Sequence, residues 1–428
     1  MKVLKTILEN TGKKYKFLFV ITVLILLSVF ACKKTSYPLR GTGADKMPKE
    51  WTDSITGHHL VRLTDTSGEY RSFYFHNNPF FQEKDNEGDL MVFYGSKHLS
   101  NDKVYKGKEI KQIFTINLKT REITQITNHP APIHGEIVSK KRREVIYQSN
   151  DTVFATNIDN KITHVVYIFP DSIKRGGITT INADENLLAG TYSDTRKMDI
   201  LKNNPKKSDY FSLIFEAKIP HTLFTINIET RKMNILFSDT AWINHVQFSP
   251  TDPDMLMFCH EGHWHKVDRI WLINIFEKVP RLMHKRTVYR EIAGHEFFSY
   301  DGTKIWFDLQ IPRGETFYLA NADVKTGEEH KYSLTRDEWS IHYNISPDQQ
   351  WFAGDGGDSG QVAHAKDGKW LYLFKPEGDH LVSEKLVDMS KHDYDLEPNV
   401  HFTPDGKWII FRANFEGKSQ IYEVEIKK

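Results

Sequence analysis

Cysteine is scarce: Cys32 and Cys259 are the only two in 428 residues. No disulfide framework of the kind that staples small secreted modules can be built from them. Charge of one sign is lacking as well. The 57 Lys and Arg offset 56 Asp and Glu to a net charge of +1, so no basic field points to nucleic acid, and no helix-turn-helix or RNA-binding signature restores that reading. There is no phosphate-binding glycine loop, and no G-x-S-x-G elbow of the kind a propeller-borne serine peptidase would carry. Gly357-Asp358-Ser359-Gly360 has the form of a trypsin-type nucleophile segment. No two-barrel pattern surrounds it, and a glycine-rich loop after a strand explains it.

The one long apolar run lies at the N-terminus, over residues 17–31, behind a lysine-bearing stretch and directly before Cys32. A charged n-region, an apolar h-region and a small residue before a cysteine predict a signal peptide over residues 1–32 with a lipoprotein-type cysteine. The run is short for a membrane span. The expected location is therefore exported, periplasmic or cell-surface, with a membrane contact through a lipid anchor. Residues 33–50 are polar with Pro and Gly and are expected to be a tether, leaving 51–428 as the folded domain. Its 18 Tyr, 27 Phe and 9 Trp supply the apolar mass that disulfides do not.

Within that domain a unit recurs: an apolar residue, a Ser/Thr-Pro-Asp-type turn, then an alternating strand. Copies begin at Phe248 (FSPTDPDMLMF), Phe298 (FSYDGTKIWF), Ile345 (ISPDQQWFA) and Phe402 (FTPDGKWIIF). Weaker copies occupy residues 80–94, 137–147 and 181–189. A period of about fifty residues built from short strands, without helical stretches, predicts propeller blades. The fold class is all-β, a seven-bladed β-propeller. The Lys-Thr-Arg and Glu-Thr-Arg pieces of IFTINLKTREITQI and LFTINIETRKMNIL read as hairpin loops. The strand over 59–63 has no blade of its own and is expected to pair with the last blade and close the ring.

Equivalent positions in successive blades surround one axis. Three residues before each clear turn residue stand His245, His295, His342 and Asn399, so these side chains are expected to converge at the channel mouth. Glu397, Asn399 and His401 alternate and should share one strand face. A carboxylate, an amide and an imidazole suit a divalent ion with mixed O/N ligands, such as Mn²⁺ or Ca²⁺. The stretch Cys259-His260-Glu261-Gly262-His263-Trp264-His265 lacks the H-E-x-x-H spacing of zinc proteases. Arg269 beyond it could grip a carboxylate in bidentate fashion, or serve as a structural ion pair with a loop acid.

The segments WINHVQFSPTDPDMLMFCHEGHWHKVDRIWLIN (242–274), AGHEFFSYDGTKIWFD (293–308), HYNISPDQQWFAGDG (342–356) and EPNVHFTPDGKWIIFRANFEG (397–417) resemble the oligogalacturonate lyases, the β-propeller polysaccharide lyases of family twenty-two. The likeness covers most of the four C-terminal blades and thins toward the N-terminus. It implies β-elimination on 4-linked oligogalacturonides, the products of pectin breakdown, with manganese as the metal. By this resemblance His295 is the catalytic base, Arg269 binds the uronate carboxylate, and His342 is a metal ligand. Glu397 and Asn399 stand where the family has a His-x-His pair. The family's glutamine ligand falls near Tyr394, so the metal shell departs from the pattern, and His392 or His401 could substitute. Substrate contacts are expected from His245, His260 and Arg269, and the metal set from His342, Glu397, Asn399 and His401. Two other readings stay open: a non-catalytic sugar-binding propeller, and a lyase for a different uronate-containing oligosaccharide.

Overall fold

The computed structural model describes residues 36–83, 87–97, 110–173 and 176–428. The expected signal peptide and Cys32 lie outside the described residues. Among the described residues no helix is long and apolar enough to cross a membrane. The compact unit Leu39–Lys428 is an all-β, propeller-like fold.

Its strands run as antiparallel meanders. Trp242–Phe248, Met255–Glu261, Ile270–Asn274 and Arg281–Leu282 form one sheet in chain order. Ile292–Phe298, Lys304–Gln310, Phe317–Asp323 and Glu329–Leu334 form the next meander, followed by Tyr343–Ile345, Phe352–Gly354, Trp370–Glu377 and His380–Asp388. These two are joined by the single parallel pair Ser333↔His380. Earlier in the chain come sheets starting at Tyr70–Arg71, at His134–Ser139 and at Gly177–Ile181.

The ring is closed by the strand His59–Arg62. Leu60, Val61 and Arg62 pair antiparallel with Val424, Glu423 and Tyr422 of the last strand, so the strand over 59–63 does what its isolation in the sequence predicts. The fold starts before residue 51, however. Leu39–Arg40 pairs with Glu50–Asp53, the Trp51 indole donates to Thr42 Oγ1 (3.1 Å), and Thr42 donates to the buried Asp53 (2.8 Å). Much of the expected tether is thereby held against the sheet.

Each apolar cluster joins one sheet to its neighbour. Met257 and Leu272 pack on Ile305 and Phe307; Ala189 and Leu223 on Val246 and Phe258; Val61 and Ile410 of the closing sheet on Phe80 and Phe93 of the first. Strands in the middle of a sheet are covered on both faces, so Lys304–Gln310 is buried from Ile305 onward where a one-sided sheet would alternate.

The repeated turns share a mechanism. Ser299, Ser346 and Thr403 each donate to an Asp two residues on (2.6, 2.5 and 2.6 Å). Each hydroxyl also accepts the N–H five residues on (3.0, 3.0 and 3.1 Å). The side chains satisfy the backbone that the reversal exposes. Arg121 and Arg231 sit at positive φ in the hairpin loops, as turn residues there must.

One expectation fails. The sheet starting at Gly177–Ile181 carries two helices between its second and third strands: α1, Arg196–Asn203, and α2, Lys207–Glu216. Residues 195–217 lack strand alternation, and Tyr210, Phe211, Ile214 and Phe215 fall at helical spacing on one face. A sequence reading tuned to a period of two passes over such an insert.

Candidate active site

The inner strands are bulged at equivalent points. Pairing slips between Asn244 and Gln247 in one sheet and between Gly294 and Phe297 in the next. The residues at the slips, His245 (φ 47°) and His295 (φ 52°), are left-handed, as is Asn399 (φ 53°) ahead of its inner strand. Non-glycine residues rarely adopt that conformation, and it gathers at functional sites. A bulge re-aims a side chain without ending the sheet, and here it turns the predicted ring of positions into the channel mouth. His342 is held differently. Its backbone N–H and its Nδ1 both bond the buried Asp355 carboxylate, each at 2.8 Å.

The three histidines meet. The rings of His295 and His342 are 4.8 Å apart edge to face. Tyr74 lies between His342 (5.1 Å) and His245 (6.0 Å), its hydroxyl 3.2 Å from His342 Nε2. Phe75 stacks on His342 at 4.6 Å. Tyr74 and Phe75 were not singled out in the sequence, although the aromatic run FYFHNNPFF (73–81) is a signal that could have found them. Above them opens a cavity of about 1020 Å³ lined by Tyr74, His245, His295, Glu261, Trp264 and Glu397, with α2 forming one wall.

Burial first, then the His342 ring and the Arg269 guanidinium, hold the His295 imidazole well below 6.5. Its Nδ1 is buried without a hydrogen-bond partner among the described residues. The ring is therefore neutral at neutral pH, the form a base requires. Beside it, burial would raise the Glu261 carboxyl, but Arg269, His245, the Trp264 indole and the Gly262 N–H bring it down to about 2. Trp264 donates to Glu261 at 2.8 Å, and its ring centre stands 5.1 Å from that of His295.

Gly294 makes this arrangement possible, since a Cβ there would lie 2.7 Å from the Trp264 ring. Gly294→Ala is expected to displace the indole, cost ~1–3 kcal/mol as overpacking and lower turnover. Thermal unfolding and single-substrate kinetics check both effects.

Arg269 departs from its expected place. It is buried behind Trp264 (4.8 Å), with Nε and Nη2 donating to Glu296 (2.9 and 3.4 Å) and Nη1 to Glu261 (2.9 Å). Two carboxylates occupy the guanidinium that was expected to grip substrate, which is the structural ion-pair alternative. His260 is likewise turned away. Period two puts it opposite Glu261, against Trp271 (4.9 Å) and Asp239 (3.8 Å).

The alternation expected over 397–401 is broken by the left-handed Asn399. Its Oδ1 accepts the Phe75 N–H (2.9 Å) and its Nδ2 donates to the Glu397 carbonyl (3.1 Å), so its amide is occupied. His401 lies deeper in the channel, its two ring nitrogens against the Asn399 and Asn77 carbonyls (3.1 and 3.2 Å). His392 has Nε2 on the Leu396 carbonyl at 2.7 Å.

Only Glu397 and His342 of the expected metal set face one another, His342 Nε2 lying 3.8 Å from a Glu397 oxygen. No cluster of three or more His, Cys, Asp or Glu placed to hold a metal occurs among the described residues. A carboxylate on Nδ1, which leaves Nε2 between the Tyr74 hydroxyl and Glu397, is nevertheless how metal-binding histidines are oriented. With the half-exposed Glu397 this fits a hard divalent ion that completes its shell with water or substrate oxygen.

Beneath the rim, burial pushes the Asp308 carboxyl up to about 7 against hydrogen bonds from Gln310 Nε2 (2.8 Å) and Trp339 Nε1 (3.0 Å). An acid whose folded pKa exceeds its unfolded value of 3.8 gives no pH dependence below 3.8. It lowers stability as pH rises from there to about 7 and is constant above. Asp308→Asn is expected to flatten that slope in melting temperatures taken across the interval.

A family model described as oligogalacturonate lyase matches residues 45–428. The chain is 24% identical over 404 residues to the oligogalacturonate lyase of Dickeya dadantii (strain 3937), covering 88% of this chain and 95% of that protein. The crystal structure of oligogalacturonate lyase from Vibrio parahaemolyticus superposes with a TM-score of 0.74 at 23% identity, over 89% of this chain and 96% of that one. A structure of oligogalacturonate lyase in complex with manganese gives the same score at 21% identity, with the same coverage. With the match running through every strand that builds the mouth, the chain belongs to the oligogalacturonate lyase family.

Proposed function

We propose that this chain is a seven-bladed propeller lyase that cleaves 4-linked oligogalacturonides by β-elimination at the histidine-lined mouth. Three of its sheets are four-stranded meanders, and the eight-stranded sheet is two meanders joined at one pair; with the five-stranded first sheet and the closing sheet that joins His59–Arg62 to the last strands, this supports a count of seven. The observation that carries the reaction is the neutral His295, left-handed at its bulge and facing a cavity large enough for a short oligosaccharide.

The C5 proton of a uronate is weakly acidic because the adjacent carboxylate can delocalise the charge left behind. His295 takes that proton. The C5–H electrons form the C4=C5 double bond, the C4–O bond breaks, and the departing oxygen takes up a proton. The product is an unsaturated uronate end, or the keto form it rearranges to. His342, oriented by Asp355, and Glu397 would hold manganese, which when bound supplies positive charge against the uronate carboxylate. Arg269 acts from behind: it fixes Glu261 and adds to the field that keeps His295 unprotonated. Residues 1–32, as an export signal ending at a lipidated Cys32, would place the enzyme at a membrane surface outside the cytoplasm.

Incubation with oligogalacturonate tests the reading. Ultraviolet absorbance of a double bond conjugated to the carboxylate should rise, and a chelator should suppress the rise. Binding without any new absorbance would instead mark a sugar-binding propeller, and activity only on other uronides a different lyase.

A further inference from the structure

The Arg269 guanidinium is sealed between Glu261 and Glu296, so a chain with one carboxylate per ring needs its cations elsewhere. Arg290 and Arg313 line the same cavity. They come from the loops on either side of the hairpin formed by Ile292–Phe298 and Lys304–Gln310. The Arg313 N–H donates to the Arg290 carbonyl at 2.7 Å, which fixes the two backbones side by side. The loop is anchored from below, where the Gly314 N–H donates to Oε1 of the fully buried Gln310 at 2.9 Å.

Both arginine side chains are exposed at the rim. No described residue gives either of them an ion pair or a side-chain hydrogen bond, in contrast to Arg281 and Arg286 nearby, which are engaged. Two free guanidiniums on one braced rim match the fork geometry of carboxylates.

We propose that Arg290 and Arg313 form a carboxylate subsite that holds a uronate neighbouring the one being cleaved, and so select chains with free rather than methyl-esterified acid groups. The proposal rests on the oligogalacturonide reading above. A site for a neutral oligosaccharide would have no use for two unpaired guanidiniums.

The test compares the wild-type chain with the double variant Arg290→Gln/Arg313→Gln, using trigalacturonate and its methyl ester. Calorimetric Kd at low and high salt is measured alongside KM and kcat. The expected result is a Kd and a KM for trigalacturonate raised about tenfold or more, equivalent to roughly 1.4 kcal/mol, with kcat within about threefold of wild type. The variant should also lose the wild type's preference over the ester and most of its salt sensitivity. Both side chains are exposed, so the melting temperature should be unchanged. Arg290→Lys/Arg313→Lys, which keeps charge without the fork, should fall between. A Kd within about twofold of wild type overturns the subsite while leaving the lyase reading intact. A wild-type chain that binds no trigalacturonate overturns both.

Discussion

Replacing His295 with alanine is expected to remove turnover, by at least the ~10²–10⁴-fold that a positioned general base contributes, while substrate binding and folding survive. The fold should survive because His295 Nδ1 has no hydrogen-bond partner to lose. Its left-handed backbone (φ 52°) would cost alanine roughly 1–2 kcal/mol. His295→Asn avoids much of that, since asparagine tolerates the conformation, and should be as inactive as the alanine variant with a melting temperature nearer wild type. The same residue sets the acid limb of the rate profile. The imidazole is held well below 6.5, so the base form is present above the depressed value and lost as pH falls through it. Activity should therefore persist below pH 6.5 before it declines. Full activity in either variant would remove His295 from the mechanism.

The second large effect is expected from the metal. Chelation should abolish most turnover and added manganese should restore it. Asp355→Asn is expected to weaken manganese activation about 10–100-fold, the usual consequence of disturbing the partner that orients a ligating histidine. The fully buried Asp355 carboxylate accepts from His342 N–H, from its Nδ1 and from the Asn399 N–H (3.2 Å). One substitution thus loosens the ring that faces Glu397. Manganese titration of activity separates this from unfolding, because excess metal should rescue the variant.

The sequence carried the architecture well because the Ser/Thr-x-Asp turns are local hydrogen-bond motifs that repeat with the blade. It also carried the convergence of His245, His295 and His342, since register around a ring is a property of spacing. Orientation was harder to read. Arg269 was expected at the substrate and lies behind Trp264, because partners Glu261 and Glu296 meet it only in the folded sheet. The alternation from Glu397 to His401 failed at one residue, Asn399, whose positive φ rotates everything after it. Helix α2 and the Tyr74–Phe75 pair under His342 reach the mouth from outside the clear copies of the repeat, so the register that places the histidines does not point to them.

Elimination and hydrolysis break the glycosidic bond in different ways. The masses of the products formed from a short oligogalacturonide decide between them. Elimination predicts two fragments whose masses sum to that of the substrate, one of them unsaturated or its keto isomer. Fragments whose sum exceeds the substrate by one water would show hydrolysis and contradict it.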